Sequence, residues 1–214
     1  EINFEDHIEE SLLAKGYNKR LSGEYDKDLC LIPEELLSFV KSSQPDEYKQ
    51  LEIQYGTDTD SKLLRRISTE ISKQGTLQVL RRGIKDRGVK IELAYFKPSS
   101  GMNTEHQNLY AQNRFTIVRQ LEYSKRTTQT IDVVLFLNGI PIVTAELKNT
   151  LTGQKVEHAI EQYKKNRDPG ETLLQFKRCL VHFAIGNEEA YMTTRLEGDK
   201  TYFLPFNKDF PNPV

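Results

Sequence analysis

Cysteine is scarce in this chain: two of 214 residues, Cys30 and Cys179, far apart and in unlike contexts. Two cannot build a disulfide framework or a cysteine-based zinc site, so a reducing, cytoplasmic compartment is expected. Long hydrophobic runs are missing as well. No apolar stretch approaches the roughly 20 residues that span a bilayer, and the N-terminal region has no signal-peptide pattern, so no membrane partner is expected. Nor is there an excess of charge of one sign. Thirty basic and 31 acidic side chains leave a net charge of −1, which removes any global electrostatic argument for nucleic acid. The histidines (His7, His106, His158, His182) lack ligand spacing, and His182, inside an apolar strand pattern, reads as a hydrogen-bonded core residue. The absence of Gly-x-Ser-x-Gly leaves a serine hydrolase without support. Gly198-Asp199-Lys200-Thr201 resembles the end of a phosphate-binding loop. Thr193 stands where that frame needs a glycine, so ATP binding is not expected from this chain.

What is present is ordinary in bulk, with 37% hydrophobic and 29% charged residues. The length suits one large domain, 1–214, with a real core. Local basic runs occur at Lys62, Arg65 and Arg66; at Arg81, Arg82, Lys85, Arg87 and Lys90; and at Lys164, Lys165 and Arg167. They read as solvated faces, although a neutral chain can still grip DNA with one basic face. Residues 3–15 carry Phe4, Ile8 and Leu12 at helical spacing, with Asn3 as cap and Gly16 past the end. Pro33 opens a short helix over 34–41, while Gln44-Pro45 and Gly56-Thr57-Asp58 read as loops. Residues 60–85 are helical, broken at Gly75-Thr76, with Leu77, Leu80 and Ile84 on the second piece. Residues 89–96 read as a strand closed by a loop at 98–101, and 102–112 as loop or one helical turn. Residues 115–123 read as a strand. Residues 152–167 form a polar helix ended by Asp168-Pro169-Gly170, and strands follow at 178–185, 190–194 and 202–204.

The most informative stretch is Ile131 to Asn149, IDVVLFLNGIPIVTAELKN. Two apolar strands flank Asn138-Gly139, the strongest short hairpin signal. Asp132, Glu146 and Lys148 interrupt it near its two outer ends. Buried charges are costly unless paired or bound to a metal, so the triplet is a candidate active site. Side chains alternate along a strand, so Glu146 and Lys148 share a face with Thr144 and Ile142. Register decides whether Asp132 joins them. A three-residue loop over 138–140 pairs Leu137 with Pro141 and sets Asp132 opposite Glu146. A two-residue loop would turn Glu146 to the other face. The three-residue loop is expected, because Pro141 lacks an N–H and suits a strand's first residue. Facing carboxylates repel, and one has its pKa raised. A divalent cation resolves that conflict, and two carboxylates with a backbone carbonyl and waters are how Mg²⁺ is usually held. Lys148 beside it would orient an attacking water or stabilise charge on a phosphate.

The order Asp, then Glu-x-Lys, is that of metal-dependent PD-(D/E)xK nucleases. Four segments, IDVVLFLNGIPIVTAELKN, GQKVEHAIEQYKKNRDP, RCLVHFAIGNEEAYMTTRL and TYFLPFNK, resemble the N-terminal nuclease region of the R (restriction) subunit of type I restriction-modification enzymes. The opening FEDHIEESLLAKGY is similar to that family's first helix. The resemblance implies an α/β fold with a PD-(D/E)xK core (helix, three-stranded meander, helix, strand) over about 1–17 and 113–205, and a helical insertion over about 33–112. It implies that Asp132, Glu146 and Lys148 are catalytic, and that double-stranded DNA is cut with Mg²⁺ without sequence specificity of this chain's own. It further implies modification and specificity subunits as partners, and an ATP-driven translocase beyond residue 214, with ATP bound only there.

Two departures from the family pattern stand out. Ile131 occupies the nominal proline position, and the Gln-x-x-x-Tyr motif of related nucleases is represented only by adjacent Gln162 and Tyr163. These two and Lys164 are candidate DNA contacts, with Tyr163 packing against the sheet as the alternative. Because a first-helix Glu approaches the metal in related folds, Glu5 is preferred to Glu9 and Glu10 as a further ligand, against the reading of a solvated acid favoured by the helix dipole. The competing function is a non-catalytic DNA- or subunit-docking module that kept the fold.

Overall fold

The computed structural model describes residues 2–98, 103–149 and 155–207. The chain is mixed α/β, with a helix-rich N-terminal part and a large mixed sheet. Helix α1 (Ile2–Leu13) is followed by the short strand β1 (Asn18–Arg20), then by helices α2 (Pro33–Ser43), α3 (Pro45–Tyr55), α4 (Thr59–Gln74) and α5 (Thr76–Arg82). A small hairpin, β2 (Ile84–Asp86) and β3 (Val89–Ile91), and helix α6 (Thr104–Ala111) lead to the meander β4 (Phe115–Glu122), β5 (Thr130–Leu137) and β6 (Ile140–Leu147). Helix α7 (Val156–Glu161) continues into a π-helical turn at Gln162–Asn166. Strands β7 (Val181–Ile185), β8 (Ala190–Thr193) and β9 (Leu204–Pro205) complete the chain. The large sheet runs β1-β4-β5-β6-β7-β8-β9. β7 is parallel to β6, and β1 is parallel to β4.

Several local readings change. Helix α1 starts at Ile2, so Asn3 lies inside it rather than capping it. Pro45 opens α3 instead of a loop, because a helix's first residue needs no N–H partner. Ile84 leaves the helix for β2, since Gly83 takes a positive φ of 65° that ends α5. The segment 33–112 therefore holds a two-stranded sheet as well as helices. The expected loop at 98–101 and the expected helix start at Thr152 fall partly outside the described residues. Among the described residues, no helix is long and apolar enough to cross a membrane.

Three packed clusters position the site. Phe4, Ile8 and Leu12 of α1 lie on Ile117, Val133, Ala145 and Leu147 of the meander. On the other side Val156, Ala159 and Tyr163 pack with Val118, Val134, Phe136 and Ala184. A separate core formed by α2–α5 and the small hairpin takes in Ile140, just past the meander's tight turn. The central hairpin is thereby gripped on both faces and at its closed end.

Candidate active site at the open end of the hairpin

The turn between β5 and β6 differs from expectation, yet the expected register survives. Leu137 pairs with Ile140 across a two-residue turn, Asn138-Gly139, with φ of 52° and 79°, the double-positive pattern of a type I′ turn. A bulge then inserts Ile142: Phe136 pairs with Pro141 and Leu135 with Val143. The extra residue cancels the shorter loop. From Leu135–Val143 to Val133–Ala145 the pairing is the one a three-residue loop would have produced, and beyond it Asp132 Oδ2 accepts from Leu147 N while the Asp132 charge acts on Glu146. The short turn fits a socket. Asn138 Nδ2 donates to Leu93 O at 2.9 Å, its Oδ1 accepts from Arg114 N at 2.7 Å, and Gly139 O accepts from Ile32 N at 2.8 Å. A Cβ on Gly139 would lie 2.6 Å from Ile32 O.

Glu146 is fully buried, at 0% exposure. Gln162 Nε2 donates to its Oε2 at 2.8 Å, and Arg167 Nε donates to its Oε1 at 2.7 Å. Arg167 Nη2 also donates to Thr130 O at 2.7 Å, tying the end of the π-helical turn to the strand that carries Asp132. Burial first, and then the charge of Asp132, push the Glu146 carboxyl up to about 8, against the partial opposition of Arg167. Beneath it runs a buried polar chain. Tyr163 Oη and Thr144 Oγ1 are 2.8 Å apart, and Thr144 Oγ1 lies 2.7 Å from His182 Nδ1. Burial alone lowers His182 to about 4, and it is the hydrogen-bonded core residue its sequence context suggested.

Asp132 sits at the rim, half-buried. Its Oδ2 accepts from Leu147 N at 2.7 Å, and its Oδ1 accepts from Gln120 Nε2 at 3.3 Å. The same Gln120 nitrogen donates to Glu5 Oε1 at 2.8 Å. Glu5 is buried at the start of α1, and Arg119 holds its other oxygen at 3.1 Å. Burial raises the Glu5 pKa, Gln120 lowers it by hydrogen bonding, and Asp132 raises it further. Glu5 thus approaches Asp132, whereas Glu9 turns to Lys19 at 2.7 Å. Lys148, 8% exposed, donates its backbone N–H to Ile185 O at 2.9 Å, and its charge lowers the Glu146 pKa.

The helix residues separate. Gln162 is engaged with Glu146 inside the site. Tyr163 has 0% exposure and presents no surface to DNA; it takes the sheet-packing alternative, because its hydroxyl is satisfied by Thr144. Lys164 is half-buried. A π-helical turn at this point is itself informative, since such insertions concentrate at functional sites. Two residues escaped the sequence reading. Arg167 looked like the end of a solvated basic run, and only the proline break one residue beyond Asp168 hinted that the helix ends there. Gln120 carried no signal at all.

The donor set suits a hard divalent cation. It offers the carboxylate oxygens of Asp132 and Glu146, with no sulfur. Among the described residues no group of three or more His, Cys, Asp or Glu side chains forms a cage. Mg²⁺ needs none, since it binds through one or two carboxylates and retains waters.

A search of curated proteins finds no match. The sequence profile of one family, described as the type I restriction enzyme R protein N terminus, matches residues 34–201. That span holds Asp132, Glu146, Lys148, Gln162 and Arg167, and it leaves out α1 with Glu5. It covers well over half of the sequence, and the chain belongs to the type I restriction enzyme R protein N-terminal family.

Proposed function

We propose that this chain is the Mg²⁺-dependent endonuclease domain of a type I restriction R subunit. It would cut phosphodiester bonds of double-stranded DNA without sequence specificity of its own. Family membership supports a restriction enzyme nuclease domain, with DNA and the restriction complex as partners in general. The observation that carries the reading is that half-buried Asp132 and buried Glu146 and Lys148 meet at the open end of the hairpin, close enough for the charges of Asp132 and Lys148 to act on Glu146. The order helix α1, meander β4–β6, helix α7 and parallel strand β7 supports a PD-(D/E)xK core. On this reading the modification and specificity subunits choose the DNA site, and an ATP-driven translocase belongs to the full-length R subunit.

Asp132 and Glu146 would hold the cation. Bound there, it would lower the pKa of a water and polarise the scissile phosphate. Arg167 and Gln162 fix the Glu146 carboxylate by occupying one site on each oxygen, which leaves each oxygen further acceptor capacity. Lys148 would place its ammonium at the phosphate, where charge grows during attack.

The test is cleavage of duplex DNA in Mg²⁺ by Asp132→Ala, Glu146→Gln and Lys148→Ala, made in the R subunit within its complex. Each is expected to lose at least ~10²-fold in rate, the scale of losing one electrostatic contributor, with the folded circular dichroism spectrum kept. Undiminished cutting by all three would remove the assignment. The alternative, a docking module that kept the fold, draws on Glu146 being already engaged by Arg167 and Gln162. It requires that calorimetry with Ca²⁺ show no binding that Asp132→Ala abolishes.

A further inference from the structure

We propose that Gln120 is a positioning residue of the acidic site, clamping Glu5 of α1 to Asp132 through a single side-chain amide. The inference rests on the nuclease reading above and adds a residue to it. Gln120 lies inside β4, yet its φ is +47°. No turn demands that conformation, which disfavours any residue with a Cβ, and glutamine less than asparagine is suited to it. Its neighbours Arg119 and Leu121 pair with Val133 and Ile131, while Gln120 itself drops out of the ladder opposite Asp132. Alternation breaks on both strands at this pair. Val118 and Leu121, three apart, enter the same core, as do Ile131 and Val134, whereas strict alternation would send them to opposite faces.

The distortion has a visible product. Nε2 of Gln120 reaches Glu5 Oε1 at 2.8 Å and Asp132 Oδ1 at 3.3 Å, and its Oε1 accepts from Thr130 Oγ1 at 2.7 Å. The amide has two N–H donors, so it can serve both carboxylates at once, and Thr130 fixes which way round the amide lies. A strained backbone that persists at a cluster of charged groups points to a role for the side chain it presents, beside the entry of Leu121 and Ile131 into the core that the kink allows. Gln120 is itself exposed, so its side chain adds nothing to that core. The clamp brings an acid from α1 to the rim of a site otherwise built on the meander, and it sets the Asp132 oxygen that Leu147 N–H does not hold.

The discriminating variant is Gln120→Gly, which relieves the φ strain while deleting the amide; Gln120→Asn keeps a residue suited to positive φ with a side chain one methylene shorter. Both are expected to fold with a thermal midpoint at or above that of the unsubstituted chain. Calorimetry with Ca²⁺ should show affinity reduced about tenfold, the low end for loss of an outer-shell partner. In a Glu5→Gln background the same substitution should cost less than twofold, because the clamp has already lost its charged acid. Full affinity in Gln120→Gly, or an equal loss with and without Glu5→Gln, overturns the proposal. Loss of affinity together with a lowered midpoint in both variants also overturns it, in favour of a purely structural role. No uptake of Ca²⁺ by the unsubstituted chain overturns the nuclease reading first, and this proposal with it.

Discussion

Each end of the central hairpin has a non-glycine residue at positive φ, Asn138 in its turn and Gln120 beside its open end in β4, and the reasons differ. At the closed end Asn138 has φ 52°, in a turn that requires it, in a residue type that tolerates it, and beside a glycine. Its side chain is wholly buried and satisfies Leu93 O and Arg114 N. Every local choice there agrees with the fold. At the open end Gln120 has φ 47° within a strand, Glu146 is buried beside a second acid, and Arg167 is buried to answer it. Those choices conflict with folding rules at several levels, and such conflict concentrates at functional sites. One end is built to be stable and the other to hold charge.

The largest expected effect breaks the open end. Glu146→Ala leaves the buried Arg167 charge without its acceptor and Gln162 without its partner, and an unsatisfied buried donor costs roughly 1–3 kcal/mol, more when it is charged. Glu146→Gln keeps the shape and an acceptor for Arg167 Nε, so it should cost clearly less. Urea midpoints of the two variants measure the difference. Equal midpoints would mean that Arg167 finds solvent when Glu146 is gone.

Next comes the closed end, where Asn138→Gly mirrors Gln120→Gly. Glycine suits both φ values, so backbone strain drops out of the comparison. Asn138→Gly strands Leu93 O and Arg114 N in a buried socket, at roughly 1–3 kcal/mol for each unsatisfied group. It should lower the denaturation midpoint and leave cation affinity unchanged, the opposite of the pattern expected at Gln120. Destabilisation at both positions would erase the distinction between the two ends.

The sequence made the closed end and the candidate triplet legible, because Asn-Gly, apolar alternation and the Glu-x-Lys order are local patterns. It set the strand register through a three-residue loop, while the chain reaches the same register at Val133–Ala145 through a two-residue turn and a bulge at Ile142. The bulge was hidden because Pro141 and Ile142 look like ordinary strand residues. Helix α3 was missed because Pro45 punctuates and initiates with the same residue type. Strand β1 pairs through three polar residues whose only reason to be extended is β4 beside them. Arg167 and Gln120 were out of reach for a related reason: their roles depend on partners 21 and 115 residues away, which no window along the chain contains.

The smallest effect sharpens the contrast by pH. Glu146 is held up to about 8 when folded and returns to near 4.5 when unfolded. Between those values the folded form keeps a proton that the unfolded form has lost, so cation-free stability falls as pH rises. His182 acts in the opposite sense. Its depressed value of about 4 means that stability is lost as pH falls from 6.5 toward 4. The two slopes oppose each other below 6.5, and above it only the Glu146 slope remains of the pair. From pH 6.5 to 8 the loss should approach about 2 kcal/mol, since one pKa unit is worth 1.36 kcal/mol. Urea denaturation across that range should show the decline in the unsubstituted chain and not in Glu146→Gln, which cannot ionise. Millimolar Mg²⁺ should flatten it, because a cation favours the ionised acid of the folded form alone. A decline that Glu146→Gln retains would place the titrating group elsewhere, and the open end would then be no more charged in practice than the closed one.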